Sequence, residues 1–340
     1  MKVLFIGGTG TISTAITQLV PGCGFELYLL NRGNRSELVP PEVKIIEADI
    51  NNEEDVREKL KDMTFDVVAQ FIAFDTDALR RDVRLFTGKT KQYIFISSAS
   101  AYQKPLSWPF ITESTPLSNP YWEYSRNKIA CEEYLMAEYR QNGFPITIIR
   151  PSHTYGNFDV PLAVHGRNGS YSVINRIKQG KKVLIHGDGS SLWTLTHNSD
   201  FAKAFVGLMG NVHAIGEAVQ ITSDESLTWN QIYEIIGNAL GVKPNIVHIS
   251  TDTLVKANPE FLGGLLGDKS NTVIFDNSKV KRLVPGFTAT VRFDQGVRTT
   301  LDYIEAHPQL QRMDPEFDNW TDQLITRYEE MERMLEGLRS

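Results

Sequence analysis

The chain has 340 residues, 41% hydrophobic and 22% charged, with a formal net charge of -6, a globular balance that leaves no long disordered or fibrous tract. No Lys/Arg run stands out, so charge lends no support to nucleic-acid binding; Cys23 and Cys131 are too few for a disulfide framework and lack metal-ligand spacing. No apolar run is long enough for a membrane span, and the length suits one large domain with a smaller one appended, which points to a cytoplasmic enzyme or binding protein without a metal.

Lys2-Val3-Leu4-Phe5-Ile6, then Gly7-Gly8-Thr9-Gly10-Thr11-Ile12-Ser13, reads as strand, tight turn and helix, with buried helical spacing over 14–20. Such a turn gathers backbone N–H groups at a helix N-terminus, where a pyrophosphate can be held. Residues 25–30 form a second strand, completing a parallel crossover. At its end, about 20 residues past the glycines, a dinucleotide fold meets the adenosine ribose. That position holds Asn31 and then Arg32. Arg32 can bind a 2′-phosphate with charge-assisted hydrogen bonds, so NADP is favoured over NAD.

A third strand is expected over 43–50, placing Asp49-Ile50 at the adenine site, followed by a charged helix over 52–60. Residues 66–73 read as a strand buried on both faces, whose end, Phe71-Ile72-Ala73, lines the cofactor cleft. A helix over 76–86 leads to a fifth strand, 92–98, which turns polar at Ser97-Ser98. Residues 99–120 form a long loop. A helix follows over 121–139, with Ser118-Asn119 offering caps and Tyr124, Lys128 and Glu132 on one face. The sixth strand, 145–151, stops at Pro151 on the carboxyl edge where ligands bind.

Beyond it the alternation weakens into a mixed lobe. Helices are expected over 172–179, 200–210 and 228–240, the last capped by Ser226 or Thr228, and strands over 183–186 and 218–222. An acidic amphipathic helix spans 315–338. The expected fold is α/β, a doubly wound parallel sheet with a smaller C-terminal α/β substrate lobe. Residues 1–151, with returning segments around 183–222, bind the dinucleotide; residues 152–340 mainly form the substrate lobe and C-terminal helices.

Ser98, Tyr124 and Lys128 form the sharpest chemical constellation. A phenol titrates near ~10, so a tyrosine acting as acid or base near neutrality needs its phenolate stabilised, and a lysine one helical turn away does that. Tyr124 would exchange the hydroxyl proton of a carbinol during hydride transfer, Lys128 would lower its pKa and hold the ribose, and Ser98 would hydrogen-bond the carbonyl oxygen.

With these motifs in this order, the chain resembles the extended short-chain dehydrogenases/reductases, the family of UDP-galactose 4-epimerase and the nucleotide-sugar dehydratases. The matching pieces are Gly7-Gly8-Thr9-Gly10-Thr11-Ile12, Asp49-Ile50, Ser97-Ser98-Ala99-Ser100-Ala101-Tyr102, Tyr124-Ser125-Arg126-Asn127-Lys128 and Arg150-Pro151-Ser152-His153-Thr154-Tyr155-Gly156. The resemblance implies a Rossmann-type sheet and a dinucleotide touching Ser97, Tyr124, Lys128, Pro151 and His153 as well as the residues above. Substrate would meet Ser100, His153 or Trp193. It also implies an oxidoreductase or epimerase acting on a sugar or sugar derivative, possibly nucleotide-linked, in a homodimer.

Several positions depart from the family pattern. Ser13 stands for the third glycine, Asn31 for the acidic ribose ligand and His153 for the Asn after Arg-Pro. Ala99-Ser100 replaces the Asp-Glu of dehydratases, which argues against a 4,6-dehydratase. Trp193 replaces the arginine that holds a diphosphate, leaving Arg167, Arg176 or Lys182 to reach a phosphate. Trp108, Trp122 and Trp193 read either as a sugar-stacking wall or as packing. The Asn31-Arg32-Gly33 turn is similar to the chloroplast stem-loop RNA-binding branch, so a catalytically silent NAD(P)- or RNA-binding scaffold is the alternative.

Overall fold

In the computed structural model, which describes residues 1–339, the apolar runs of the first half become parallel strands of one sheet. They are β1 (Lys2–Ile6), β2 (Glu26–Asn31), β3 (Lys44–Glu47), β4 (Val67–Gln70), β5 (Tyr93–Ile96), β6 (Ile146–Pro151) and β7 (Ala218–Ile221). Their spatial order is β7-β6-β5-β4-β1-β2-β3, each neighbouring pair parallel. The direction of winding reverses between β1 and β4, and the crevice outside the strand ends at such a reversal is where this architecture takes ligands.

Alternate residues of β1 enter opposite faces of the sheet. Val3 and Phe5 join one apolar cluster with Leu29, Phe201 and Phe205; Leu4 and Ile6 join another with Leu30, Val68 and Phe95. A strand covered on both faces has to be apolar throughout, which is why it reads as an unbroken run. β3 is shorter than the expected 43–50 because it is the edge strand, with β2 as its one neighbour; Ile45 stays 41% exposed while Ile50 turns into the core.

Four helices position the strand ends: α1 (Thr11–Leu19), α2 (Glu53–Lys59), α3 (Thr76–Phe86) and α4 (Glu123–Asn142). α1 starts directly at the glycine turn rather than at residue 14. Asn52 and Asp75 cap α2 and α3 by accepting from the N–H groups of Asp55 and Ala78. The expected Ser118-Asn119 cap of α4 is not used. Trp122 holds the cap position without a side-chain bond, because the Asn119 amide donates to the Ser100 carbonyl and its oxygen accepts from Tyr121 N–H. The segment 99–120 contains a helical turn, Ala99–Ala101, and a strand, Phe110–Ile111, paired in parallel with Ile274–Phe275.

By its contacts the chain forms two compact units, the first being residues 1–154, 194–225 and 274–291, the second 155–193, 226–273 and the chain from Arg292 onward. The return to the first unit is thus narrower than 183–222 and a further one follows it, since the strand Lys182–His186 pairs with Asn245–Ile249 inside the second unit. There the helix Trp229–Leu240 begins with a capping box between Thr228 and Gln231, so Thr228 rather than Ser226 is the cap. The acidic helix Pro315–Glu336, capped by Asp314, is held by Asp318 and Asp322 on Arg176 and by Glu329 on Lys182. Among the described residues no helix is long and apolar enough to cross a membrane, and no cluster of His, Cys, Asp and Glu could hold a metal ion.

Candidate active site

The site begins where β1 runs out. Gly7 and Gly8 have φ of +102° and +104°, a region open to glycine; a Cβ on Gly8 would lie 2.7 Å from Leu29 Cδ2, and one on Gly7 3.0 Å from Ile72 Cγ2. The backbone therefore bends tightly between β2 and the end of β4. Hydroxyls of α1 fasten the turn: Thr17 Oγ1 donates to the Gly8 carbonyl at 2.8 Å, Thr14 Oγ1 to the Gly10 carbonyl at 2.8 Å, and Ser13 Oγ accepts from Gly10 N–H at 2.9 Å. Ser13 at the third glycine position is accommodated by bonding to the turn it belongs to. Thr11 and Ile12 contribute the first helical turn, whose N–H groups have no intrahelical acceptor. Positive-φ glycines with no room for side chains, leading into orphan amides at a helix N-terminus, fit a dinucleotide pyrophosphate.

On one flank Asn31 closes its own turn, its Oδ1 accepting from Gly33 N–H at 2.9 Å, while Arg32 is exposed with no ion pair among the described residues. Arg35 reaches back to the turn instead, donating to the Thr9 carbonyl at 3.2 Å. Glu47, in register with Asn31, brings a carboxylate close to Gly33. Asp49 is exposed and accepts from Asn51 N–H at 2.9 Å; the Ile50 side chain is core, so only its backbone is left to meet a ligand.

On the other flank the end of β4 is a mixed edge. Phe71 packs on Phe5 at 5.1 Å and Phe205 at 5.6 Å, Ile72 is 47% exposed, and Ala73 is buried. The Ala73 carbonyl accepts from Lys128 Nζ at 2.8 Å, and so does the Ile96 carbonyl of β5, also at 2.8 Å. One buried ammonium thus ties α4 to two strand ends. Its charge lies 4.7 Å from the ring centres of Phe74 and Phe95 and 5.8 Å from that of Tyr124, one helical turn back. Tyr124 is half-buried between Phe74 at 6.2 Å and Trp122 at 5.0 Å.

The polar end of β5 divides its two serines. Ser97 donates to Glu132, whose carboxylate also takes Arg150 Nε at 3.0 Å and Nη2 at 2.6 Å. Ser98 stays half-exposed and caps the turn Ala99–Ala101, accepting from Ser100 N–H at 3.1 Å. Ser100 is buried, with its Oγ 2.9 Å from Ser98 Oγ and accepting from Ser125 Oγ at 2.8 Å. Ser98, Tyr124, Lys128 and the β4 end therefore form one neighbourhood, and Gly7 adjoins it through Ile72. Pro151 ends β6 in the core layer, and His153 opens the strand His153–Tyr155, half-buried.

Within the second unit Trp193 is buried against Trp229 at 5.7 Å, and within the first Trp108 is exposed beside Phe110. The cations expected to reach a phosphate are already paired, Arg167 with Glu260, Arg176 with Asp322 and Lys182 with Glu329. Glu132 and Arg150 stand on expected elements, Glu132 on the face of Tyr124 and Lys128 and Arg150 at the head of the Arg-Pro motif, but neither signal pointed to their pairing. Ser125 lies inside the matched Tyr124–Lys128 motif, but nothing in the sequence assigned it a role.

Burial pushes the Lys128 ammonium from 10.5 down to about 8, against the raising influence of Cys131 and Glu132. Between these values the unfolded chain binds more protons than the folded one. The destabilisation from burying the charge is therefore complete below about pH 8 and is relieved as pH rises towards 10.5. Lys128→Met should flatten the rise of thermal stability across that window, measured by melts from pH 7 to 10; an unchanged slope would mean the ammonium is not desolvated.

Residues 3–222 match the NAD dependent epimerase/dehydratase family. The chain is 23% identical to 2'-dehydrokanamycin reductase of Streptomyces kanamyceticus, over 84% of this chain and 80% of that one. It is 25% identical to the chloroplast stem-loop binding protein of 41 kDa b of Arabidopsis thaliana, over 72% and 65%. A UDP-glucuronic acid 4-epimerase from Bacillus cereus, solved with UDP-glucuronic acid and NAD, superposes with a TM-score of 0.72 over 90% of this chain and 99% of that one at 20% identity, a likeness of fold.

Proposed function

The chain belongs to the NAD-dependent epimerase/dehydratase family, and from that premise we propose that it moves a hydride to or from a secondary alcohol or ketone of a sugar or sugar derivative, with Tyr124 as acid/base. One observation carries this: Lys128 Nζ is fixed on the carbonyls of Ala73 and Ile96 with the Tyr124 phenol ring one turn away. A nicotinamide, when bound, supplies or accepts the hydride. The glycine turn, Asn31, Asp49 and the β4 end would hold the dinucleotide, Lys128 would favour the Tyr124 phenolate, and Ser98 would bond the substrate oxygen.

Epimerisation and reduction need the same proton-handling residues; dinucleotide retained through purification would favour epimerisation. The relative named for reducing 2'-dehydrokanamycin lends weight to the reductase direction. Ala99 and Ser100 offer no carboxylate beside Ser98, which speaks against a 4,6-dehydratase, and the paired state of Arg167, Arg176 and Lys182 speaks against a nucleotide diphosphate held by them.

NADP is the preferred dinucleotide because Arg32 is exposed at the ribose turn, with no ion pair among the described residues. Arg32→Ala should weaken NADPH binding on the order of ten-fold and leave NADH unchanged, read by nicotinamide fluorescence titration. Equal losses for both would remove the preference, and tighter NADH than NADPH in the wild type would reassign the turn to Glu47 and a 2′-hydroxyl.

The second reading is a scaffold that binds RNA without turnover, favoured by the 25% identity to the stem-loop binding protein. Turnover of any member of a panel of sugars and ketones supports the enzyme; no turnover, together with RNA affinity that falls steeply with salt, supports the scaffold.

A further inference from the structure

We propose that Ser100 and Ser125 are positioning residues that fix Ser98 as a hydrogen-bond donor towards the substrate oxygen. The inference rests on Ser98 touching that oxygen, as in the function proposed above. A hydroxyl has one proton to give and two lone pairs to receive with. Ser125 Oγ donates to Ser100 Oγ at 2.8 Å. Ser100 is 4% exposed, and with Ser125 Oγ already acting as donor, the acceptor left for its own proton among its described hydrogen bonds is Ser98 Oγ at 2.9 Å. Pointing the proton elsewhere would leave a buried donor unmade, which costs more than the bond itself contributes. The polarity therefore runs from Ser125 to Ser100 to Ser98.

Ser98 Oγ also accepts from Ser100 N–H at 3.1 Å. Both of its lone pairs are then filled by one residue, and the group left to it is its own O–H. Ser98 can give a hydrogen bond to a carbonyl or alkoxide and has no capacity to take one from an alcohol. In the direction of reduction the ketone carbon gains the hydride, the oxygen takes the Tyr124 proton, and Ser98 keeps its own proton while stabilising the charge that develops. In the reverse direction the alcohol proton has to go to Tyr124, because Ser98 cannot accept it. The chain thus sets which side chain handles the proton. It uses Ser100 at the place where a dehydratase would carry a carboxylate, and a carboxylate there would accept from Ser98 and reverse this polarity.

The test is a double-mutant cycle on single-turnover hydride transfer from NADPH to a panel of ketopyranosides, with NADPH affinity and thermal melts as controls for folding. Ser98→Ala should slow transfer about a hundred-fold, as for loss of an oxyanion donor. Ser100→Ala and Ser125→Ala should each slow it about ten-fold with NADPH affinity unchanged, and neither should slow the Ser98→Ala protein further. Wild-type rates in Ser100→Ala and Ser125→Ala, or losses that multiply with that of Ser98→Ala, would overturn the inference. If the Tyr124→Phe control also keeps the wild-type rate, the proposed chemistry itself fails; if Tyr124→Phe is inactive while Ser100→Ala is not, the serine chain alone fails.

Discussion

Tyr124→Phe is expected to lower kcat by roughly two to four orders of magnitude, the range for removing a positioned general acid/base, while dinucleotide affinity and melting temperature stay near wild type. The substitution removes the phenolic oxygen and keeps the ring, so the contacts with Phe74 and Trp122 survive. Lys128 keeps its bonds to the carbonyls of Ala73 and Ile96, since neither depends on the phenol. An interaction used in the transition state and absent from ground-state binding should show itself as a loss in kcat without a rise in KM. A variant that loses dinucleotide affinity instead would make Tyr124 a binding residue.

The largest stability effect should come from Glu132→Gln. Glu132 and Arg150 are 2% and 4% exposed and joined by three hydrogen bonds, with Ser97 donating to the same carboxylate. Removing the negative charge leaves a guanidinium buried beneath Tyr102, whose ring centre lies 4.9 Å away, without a counter-ion. Breaking a buried pair from one side costs about 3–5 kcal/mol, and denaturant titration should show a loss of that order. Glu132→Gln with Arg150→Met should recover part of it, because the second change removes the stranded charge. If the double variant is less stable than Glu132→Gln alone by the full cost of a second substitution, the two side chains are not coupled.

The sheet was legible because burial on both faces forces unbroken apolar strands, and the glycine turn because no side chain fits at Gly7 or Gly8. Tyr124 and Lys128 were legible because helical spacing alone brings them together. What the sequence hid depends on contacts between distant segments. Ser125 meets Ser100 across 25 residues, and Arg176 meets Asp322 across 146, so no local pattern reveals either. Asn119, a good cap by residue type, is drawn off by the Ser100 carbonyl. Trp193 reads as a substituted ligand position, and its packing on Trp229, a partner supplied by a later helix, is invisible in the local sequence. Edge position, not composition, trims β3.

The most direct measurement of the central claim follows the isotope. Protein is incubated with NADPH or NADH carrying deuterium at nicotinamide C4 and with a panel of ketopyranosides, and the products are read by mass spectrometry. Deuterium on a carbinol carbon in the wild type, and its absence with Tyr124→Phe, is the predicted result. Deuterium that remains on the nicotinamide with every ketone, although the dinucleotide binds, would contradict it.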